Sequence, residues 1–285
     1  MHPEYPSVQF KEPKIDEIRQ YGFCPVDMHV HTRHSDGAHA IETLVTYAGK
    51  KGIGLAITDH NSIRALKGSR GFCREVLVIP GIELDTLEGP HILLYFYNID
   101  ELSDFFSRIR REVTAVQEFL APPLPVIRIL DIAENYSCVR VAAHPFGYFG
   151  INRGILKCIG NGTLPRDIME RIDAIEAICG GMSRRVNSAA IEYAGITGIP
   201  VTGGSDAHII PAVGSVVTSV KADSVEEFLD GVVQGRASVT GLPAGPVHKG
   251  VTGAVIAWNY LPSTYNTLKV LYHHHRPALT WHPWR

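Results

Sequence analysis

The sequence has little that would tie it to a membrane, an oxidising compartment or a polyanionic surface. No window of about 18 residues is apolar and free of charge, so no membrane-spanning helix is expected. Met1 to Arg19 contains Pro, Glu, Lys and Asp but no apolar core segment, so no secretory signal is read there. The cysteines, Cys24, Cys73, Cys138, Cys158 and Cys179, are odd in number, scattered and without a C-x-x-C pair. That pattern argues against a disulfide framework and fits a reducing, cytoplasmic compartment. A net charge of -2 gives no broad attraction to nucleic acid or membrane, although a local metal cluster can still hold an anionic substrate. Neither the G-x-S-x-G turn of a serine hydrolase nor a G-x-x-x-x-G-K-[ST] phosphate loop is found.

What is there fits a large α/β domain. The chain has 285 residues, 45% hydrophobic and 20% charged. α/β barrels often run roughly 200–250 residues as one unit. Short Val- and Ile-bearing runs recur between turn signals: Val26–Val30, Gly54–Ile57, Val76–Ile79, Ile92–Tyr97, Val139–Ala143, Ala174–Ala177, Ile199–Thr202 and Gly214–Val220. Such runs read as buried parallel strands. Helical spacing marks Ile41–Lys51 before Gly52, Leu102–Leu120 before Pro122, Arg184–Ala194 before Gly195, and Val225–Val233 after Ser224. The alternation predicts a parallel sheet, doubly wound or closed into a barrel. Gly241–Gly253, rich in Gly and Pro, reads as a linker. Ala254–Arg285, with all three tryptophans and four histidines, reads as a packed tail or an oligomer contact. The expected division is an arm over residues 1–24, a barrel over 25–245 and an extension over 246–285.

Histidine is the compositional outlier, at 14 residues. In a parallel barrel, chemistry sits at the C-terminal strand ends and in the loops after them. Here those places carry His29-Val30-His31, Ser35-Asp36-Gly37, Thr58-Asp59-His60, Gly81-Ile82-Glu83, then His91, His144-Pro145 and Ser205-Asp206-Ala207-His208. A lone histidine at a strand end is more often structural than a ligand, but repetition at successive strand ends is hard to dismiss. Imidazole and carboxylate without thiolate suit Zn, Mn or Fe. His29, His31, Asp36, His60, Glu83, His91, His144, Asp206 and His208 are too many for one ion, so two or three ions and a bridging carboxylate are expected.

Over residues of about 26 to 240, this motif series resembles the PHP (polymerase and histidinol phosphatase) superfamily. The usual D-L-H-x-H stands here as Asp27-Met28-His29-Val30-His31. The resemblance implies a distorted (β/α)7 barrel and a metal-dependent phosphoesterase. It implies that His29, His31 and Asp206 hold one ion, that Glu83 bridges it to a second held by His91 and His144, and that Asp36, His60 and His208 hold a third. His91 precedes its apolar run, so a loop histidine is the competing reading. His60, Glu83, Asp206 and His208 are the residues expected to carry the reaction, with a metal-activated water as nucleophile and His60, His208 or a metal-bound water as proton donor. Arg153 is a candidate phosphate grip and His34 a candidate substrate contact, each weighed against an exposed loop residue. Asp59 either orients a ligand or supports a turn. The run His273–His275 is left out of the site.

The expected substrate is a small phosphomonoester or phosphodiester, with a nucleotide or short nucleic acid favoured. Histidinol phosphate is the alternative within that chemistry, and a non-catalytic metal-binding module the alternative outside it. A metal-dependent amide hydrolase would place a lysine among the ligands, and no strand read here ends in one. Only 52 residues lie between His91 and His144, which predicts a site without a large lid.

Overall fold

Short polar signals set where the helices begin and end. The Ser224 hydroxyl accepts the Glu227 amide at 3.1 Å and the Ser183 hydroxyl accepts the Val186 amide at 3.3 Å, capping the helices that follow. Caps of this kind are worth about 1 kcal/mol each. Gly52 closes the helix Ile41–Lys51 in the left-handed region, at φ 73°, where a side chain would be strained.

The computed structural model describes residues 8–67, 76–112, 124–147 and 152–259. The strands are β1 (Val8–Gln9), β2 (Cys24–Val30), β3 (Gly54–Ile57), β4 (Val78–Asp85), β5 (His91–Phe96), β6 (Cys138–Ala142), β7 (Ala174–Cys179), β8 (Val201–Gly204), β9 (Val216–Val220) and β10 (Ser238–Gly241). The helices are α1 (Ile15–Gln20), α2 (Ile41–Lys51), α3 (Arg64–Lys67), α4 (Ile99–Glu112), α5 (Val126–Ala133), α6 (Ile155–Gly160), α7 (Arg184–Thr197), α8 (Val225–Val233) and α9 (residues 246–259). No helix among the described residues is long and apolar enough to cross a membrane.

The strands form one curled sheet in the order β1-β10-β9-β2-β3-β4-β5-β6-β7-β8, a distorted TIM-like barrel. It is mixed rather than wholly parallel. β2–β3–β4 and β6–β7–β8 run parallel, but β5 is antiparallel to both neighbours, and β9 to both of its own. The reason lies between β4 and β5. Residues 86–90 make a hairpin turn, and a parallel crossover needs a dozen residues or more.

The segment that follows β8, the last strand of the sheet, closes onto β2 beside the first histidine motif. Val30 bridges Ala207, the His31 amide donates to the Ala207 carbonyl at 2.9 Å, and the Ala207 amide donates to the His29 carbonyl at 3.2 Å. This closure needs Gly204, because a Cβ there would sit 2.4 Å from the His29 Cβ. Asp27 clamps the seam, accepting the Ser205 amide at 2.8 Å, the Ser205 hydroxyl at 2.5 Å and the Gly214 amide at 2.7 Å. Burial raises its pKa to about 6 against the pull of those bonds.

Two apolar clusters hold the layers. One, with Leu44, Leu55, Phe105 and Leu130, joins sheet to helices. The other, with Val26, Ala56, Ile79, Leu93, Tyr95, Val141 and Phe228, packs separately. His91, Leu93 and Tyr95 alternate along β5 and so share a face, which makes this second cluster the floor beneath the ligand layer. Tyr95 satisfies its buried hydroxyl by donating to the Met28 carbonyl at 2.6 Å.

The segment Gly241–Gly253, read as a linker, is irregular only to residue 245; from 246 it is α9. The run His273–His275 and most of the expected tail lie outside the described residues.

Candidate metal centre

β2 places His29 within the strand and His31 just past its end, with ring centroids 5.0 Å apart. The loop after β2 turns at Gly37, where a Cβ would meet the His31 carbonyl at 2.4 Å, and this turn brings Asp36 back over the strand end. Asp59 anchors that loop. Its carboxylate accepts the Thr32 amide at 2.6 Å, the Thr32 hydroxyl at 2.7 Å and the Ser35 hydroxyl at 2.7 Å. Asp59 therefore supports the turn that carries Asp36.

Glu83 is the hub. One carboxylate oxygen lies 3.0 Å from His29 Nε2, 3.3 Å from His31 Nε2 and 3.4 Å from His60 Nε2. The other lies 2.8 Å from His91 Nδ1 and 3.3 Å from His144 Nε2. Asp206 stands 3.2 Å from His31 Nε2, and Asp36 stands 3.0 Å from His208 Nε2. All nine expected ligands are thus brought together. Eight of them are buried, and only the His60 side chain is about one-tenth exposed. His91 is the first residue of β5 and part of the cluster, not a free loop histidine.

The ligand atoms gather into groups with the members within 4.8 Å of one another: His29, His31 and Asp206; Glu83, His91 and His144; and His31, Asp36, His60 and His208. His31 belongs to two of these groups, and two further groups, His29 with Glu176 and Cys179 and His60 with Asp85 and His91, overlap them. Two site residues, His144 at φ 26° and Asp206 at φ 55°, have left-handed backbones. Non-glycine residues held there cost of order 1–3 kcal/mol, and such strain concentrates at functional sites.

The electrostatics fit a cation. Burial opposes charge on His29 and on His60, yet the carboxylates of Glu83 and its neighbours outweigh it and hold both imidazoles well above the usual histidine pKa. Burial likewise opposes ionisation of Glu83, Asp206 and Asp36, but the surrounding histidines keep all three below the carboxylate range. His31 goes the other way: burial and the neighbouring His208 lower its pKa. Neither of its ring nitrogens makes a hydrogen bond within the protein. A buried neutral imidazole aimed at two carboxylates fits a divalent ion between them.

Three further side chains complete the site. Glu176, in the middle of β7, lies 3.0 Å from His29 Nδ1 and accepts the His144 amide at 2.7 Å, so it orients two ligands at once. Asp85, two residues past Glu83 on the same face of β4, lies 2.9 Å from His60 Nδ1 and 3.3 Å from His91 Nε2. Cys179 Sγ lies 3.7 Å from Asp206 Oδ2, and burial raises its thiol pKa well above normal. Glu176 carried a legible signal, since a carboxylate inside an apolar strand must have a partner. Asp85 was hidden because the strand was read as Val76–Ile79 with Gly81-Ile82-Glu83 at its end, whereas β4 runs on to Asp85.

Of the two substrate candidates, Arg153 lines the cleft, with Nη1 3.4 Å from His91 Nε2. His34 does not line it. Ile256 of α9 does, so a C-terminal helix contributes to the wall of the cleft.

A mixed barrel with a crowd of imidazoles and carboxylates at its strand ends defines a metal-binding barrel protein. The family models name it more closely. The PHP domain model matches residues 27–150 and the PHP-associated C-terminal model matches residues 184–237. The chain belongs to the PHP superfamily, whose members are mostly metal-dependent phosphoesterases.

Solved structures share the fold at low identity. A lesion-specific endonuclease from Pyrococcus furiosus is 19% identical with a TM-score of 0.59, over 76% of this chain and 57% of the endonuclease. This chain thus spans little more than half of that protein. The protein PsfC from Pseudomonas syringae is 18% identical with a TM-score of 0.57, over 84% of this chain and 98% of PsfC. A two-domain protein from Bacteroides vulgatus, containing a predicted PHP-like metal-dependent phosphoesterase, is 16% identical with a TM-score of 0.54, over 85% and 70% of the two chains. No curated protein matches the sequence.

Proposed function

We propose that this protein hydrolyses a phosphoric ester at a centre of two or three divalent ions, Mn, Zn or Fe. The observation that carries this reading is Glu83, a buried carboxylate with five imidazoles within 3.4 Å and with Asp36 and Asp206 closing the ring. His29, His31 and Asp206 would hold one ion, His91 and His144 a second, and Asp36, His60 and His208 a third, with Glu83 shared between the first two. When bound, such ions supply Lewis acidity that polarises a phosphoryl oxygen and makes water a nucleophile near neutral pH.

The chain's own residues do the rest. Arg153 reaches into the cleft and offers a planar fork of donors to a phosphoryl group. His60, whose Nδ1 lies 2.9 Å from Asp85, and His208, whose Nδ1 is 2.9 Å from the Asp206 carbonyl, would each present Nε2 to the third ion. The buried floor excludes bulk water from below. A nucleotide or the end of a short oligonucleotide is the favoured substrate; the endonuclease fold likeness is compatible with it. No lysine lines the cleft among the described residues, which weighs against an amide hydrolase.

The test pairs metal analysis with hydrolysis of p-nitrophenyl phosphate and its bis-ester in Mn, Zn or Fe, with His29→Ala as control. Two or three bound ions, with turnover lost in the control, are expected. Bound metal without turnover of either ester or of a nucleotide panel would reassign the protein as a metal-binding module.

A further inference from the structure

Helix α9 lies across the mouth of the centre and holds on to the loops that carry its ligands. Its half-buried residues, His248, Lys249, Thr252, Val255, Ile256 and Asn259, recur at helical spacing and form one face. Val247, Val251 and Trp258 are exposed on the other. The helix is tied down at three places. The Ala244 amide, just before it, donates to the Gly180 carbonyl at 2.9 Å. Lys249 Nζ donates to the Met182 carbonyl at 2.9 Å. Asn259 Nδ2 donates to the Asp36 carbonyl at 2.9 Å and the Gly37 carbonyl at 3.2 Å, so one amide staples the helix to the ligand loop after β2.

Between the second and third ties, Ile256 enters the wall of the cleft beside Asp36, His60, Arg153 and His208. The half-open cleft holds about 80 Å³. Pockets for drug-sized ligands run about 300–1,000 Å³. Once ions occupy the floor, what remains suits a phosphoryl group and not the two substituents of a chain-internal diester.

We infer that α9 is the specificity element of this site: Ile256 and Asn259 confine the cleft to the terminal phosphate of a small phosphomonoester and exclude the internal phosphodiesters of a polynucleotide. The inference rests on the phosphoesterase reading above. It also gives α9 a defined mechanical character. Gly250 and Gly253 weaken the helix from within. Its position therefore depends on the docked face and the three ties.

The test uses the full-length, metal-loaded protein, the double variant Ile256→Ala with Asn259→Ala, and the single variant Ile256→Trp. One readout needs no turnover: the rate at which EDTA strips the bound ions. The other is kcat/KM for p-nitrophenyl phosphate against bis(p-nitrophenyl) phosphate and an unphosphorylated oligothymidylate. The unaltered protein should favour the monoester. The double variant should lose metal faster, and its diester-to-monoester ratio should rise by at least about tenfold, the scale set by a misfit of one or two carbons in a pocket. Ile256→Trp should slow metal loss and lower the ratio, an opposite movement that simple unfolding would not produce. Equal metal-loss rates in all three proteins, or a preference for diesters in the unaltered one, would overturn the inference. If no form turns over any ester, the phosphoesterase reading fails by itself and the metal-loss rates alone decide whether α9 covers the centre.

Discussion

The two ends of the barrel are built from the same kinds of side chain and do opposite things with them. At the end where β2, β3 and β4 begin, one cavity of about 600 Å³ is lined by Arg19, Cys24, Gly54 and Asp223, and another of about 640 Å³ by Tyr97, Glu101, Asp173 and Asp230. Polar groups there neutralise one another in pairs. Arg140 Nε and Nη2 donate to Asp173 at 2.9 and 2.8 Å, Arg171 donates to Glu134 at 2.6 Å and Asp131 at 2.9 Å, and the Tyr97 hydroxyl donates to Asp230 at 2.9 Å. At the opposite end the cleft holds only about 80 Å³, yet carboxylates and imidazoles converge there with Arg153 as the one Lys or Arg in the described lining. Size of cavity is thus a poor guide here. What marks the functional end is buried ligand chemistry left for a cation to complete, the arrangement expected above strand ends rather than below them.

The contrast breaks first at Glu83. Glu83→Gln keeps the volume and removes the charge that five histidines face. We expect loss of at least one ion per chain by elemental analysis, and a fall of at least about a thousandfold in ester hydrolysis, the scale of losing several kcal/mol of transition-state stabilisation. Retention of full metal content would show that the histidine ring alone binds, and the comparison would lose its centre. Glu176→Gln comes next. The amide can still meet one of its two partners, His29 Nδ1 or the His144 amide, but carries no charge to strengthen the ligand. Metal affinity should drop about 10–100-fold, as for other groups that orient ligands from behind, and competition against a fluorescent chelator would measure it.

Much of the site was legible and its supports were not. Ligand types are visible because each sits at a strand end after a short apolar run, and α2 and α8 have the bounds that Gly52 and Ser224 signal. β4 was read as Val76–Ile79 but runs Val78–Asp85, through Gly81. That glycine marks close packing, since a Cβ would come within 3.0 Å of Thr58 Cγ2 and 3.2 Å of Tyr95. The misreading hid Asp85. α5 was missed because Val126–Ala133 is dense in β-branched residues that suit a strand equally well. α9 was missed because its glycines imitate a linker, and tertiary ties that no local pattern shows hold it as helix. Glu176 was passed over because strand periodicity says where a side chain points, not which distant ring it will meet.

The smallest expected effect tests the quiet end. Asp173 receives the Arg140 amide at 2.8 Å as well as the two guanidinium bonds, and both side chains are about one-fifth exposed. Asp173→Asn leaves one acceptor oxygen for three donors and places an amide NH2 against a guanidinium. Hydrogen bonds to charged groups are worth about 1.5–3 kcal/mol, and partial exposure lets water repair some of the loss, so stability should fall by about 1–2 kcal/mol. For a chain of this size that is roughly 2–8 °C in Tm, measurable by calorimetry and by the urea midpoint. Metal content, the rate of metal loss and ester hydrolysis should stay those of the unaltered protein. The pair reaches the centre through β6, which leads to the ligand His144, and through β7, which begins one residue after Asp173 and carries Glu176, so two rigid strands insulate one end from the other. A drop in metal affinity without a drop in stability would show that strain at Asp173 travels along β6 or β7 to His144, and the two ends would have to be treated as one coupled device.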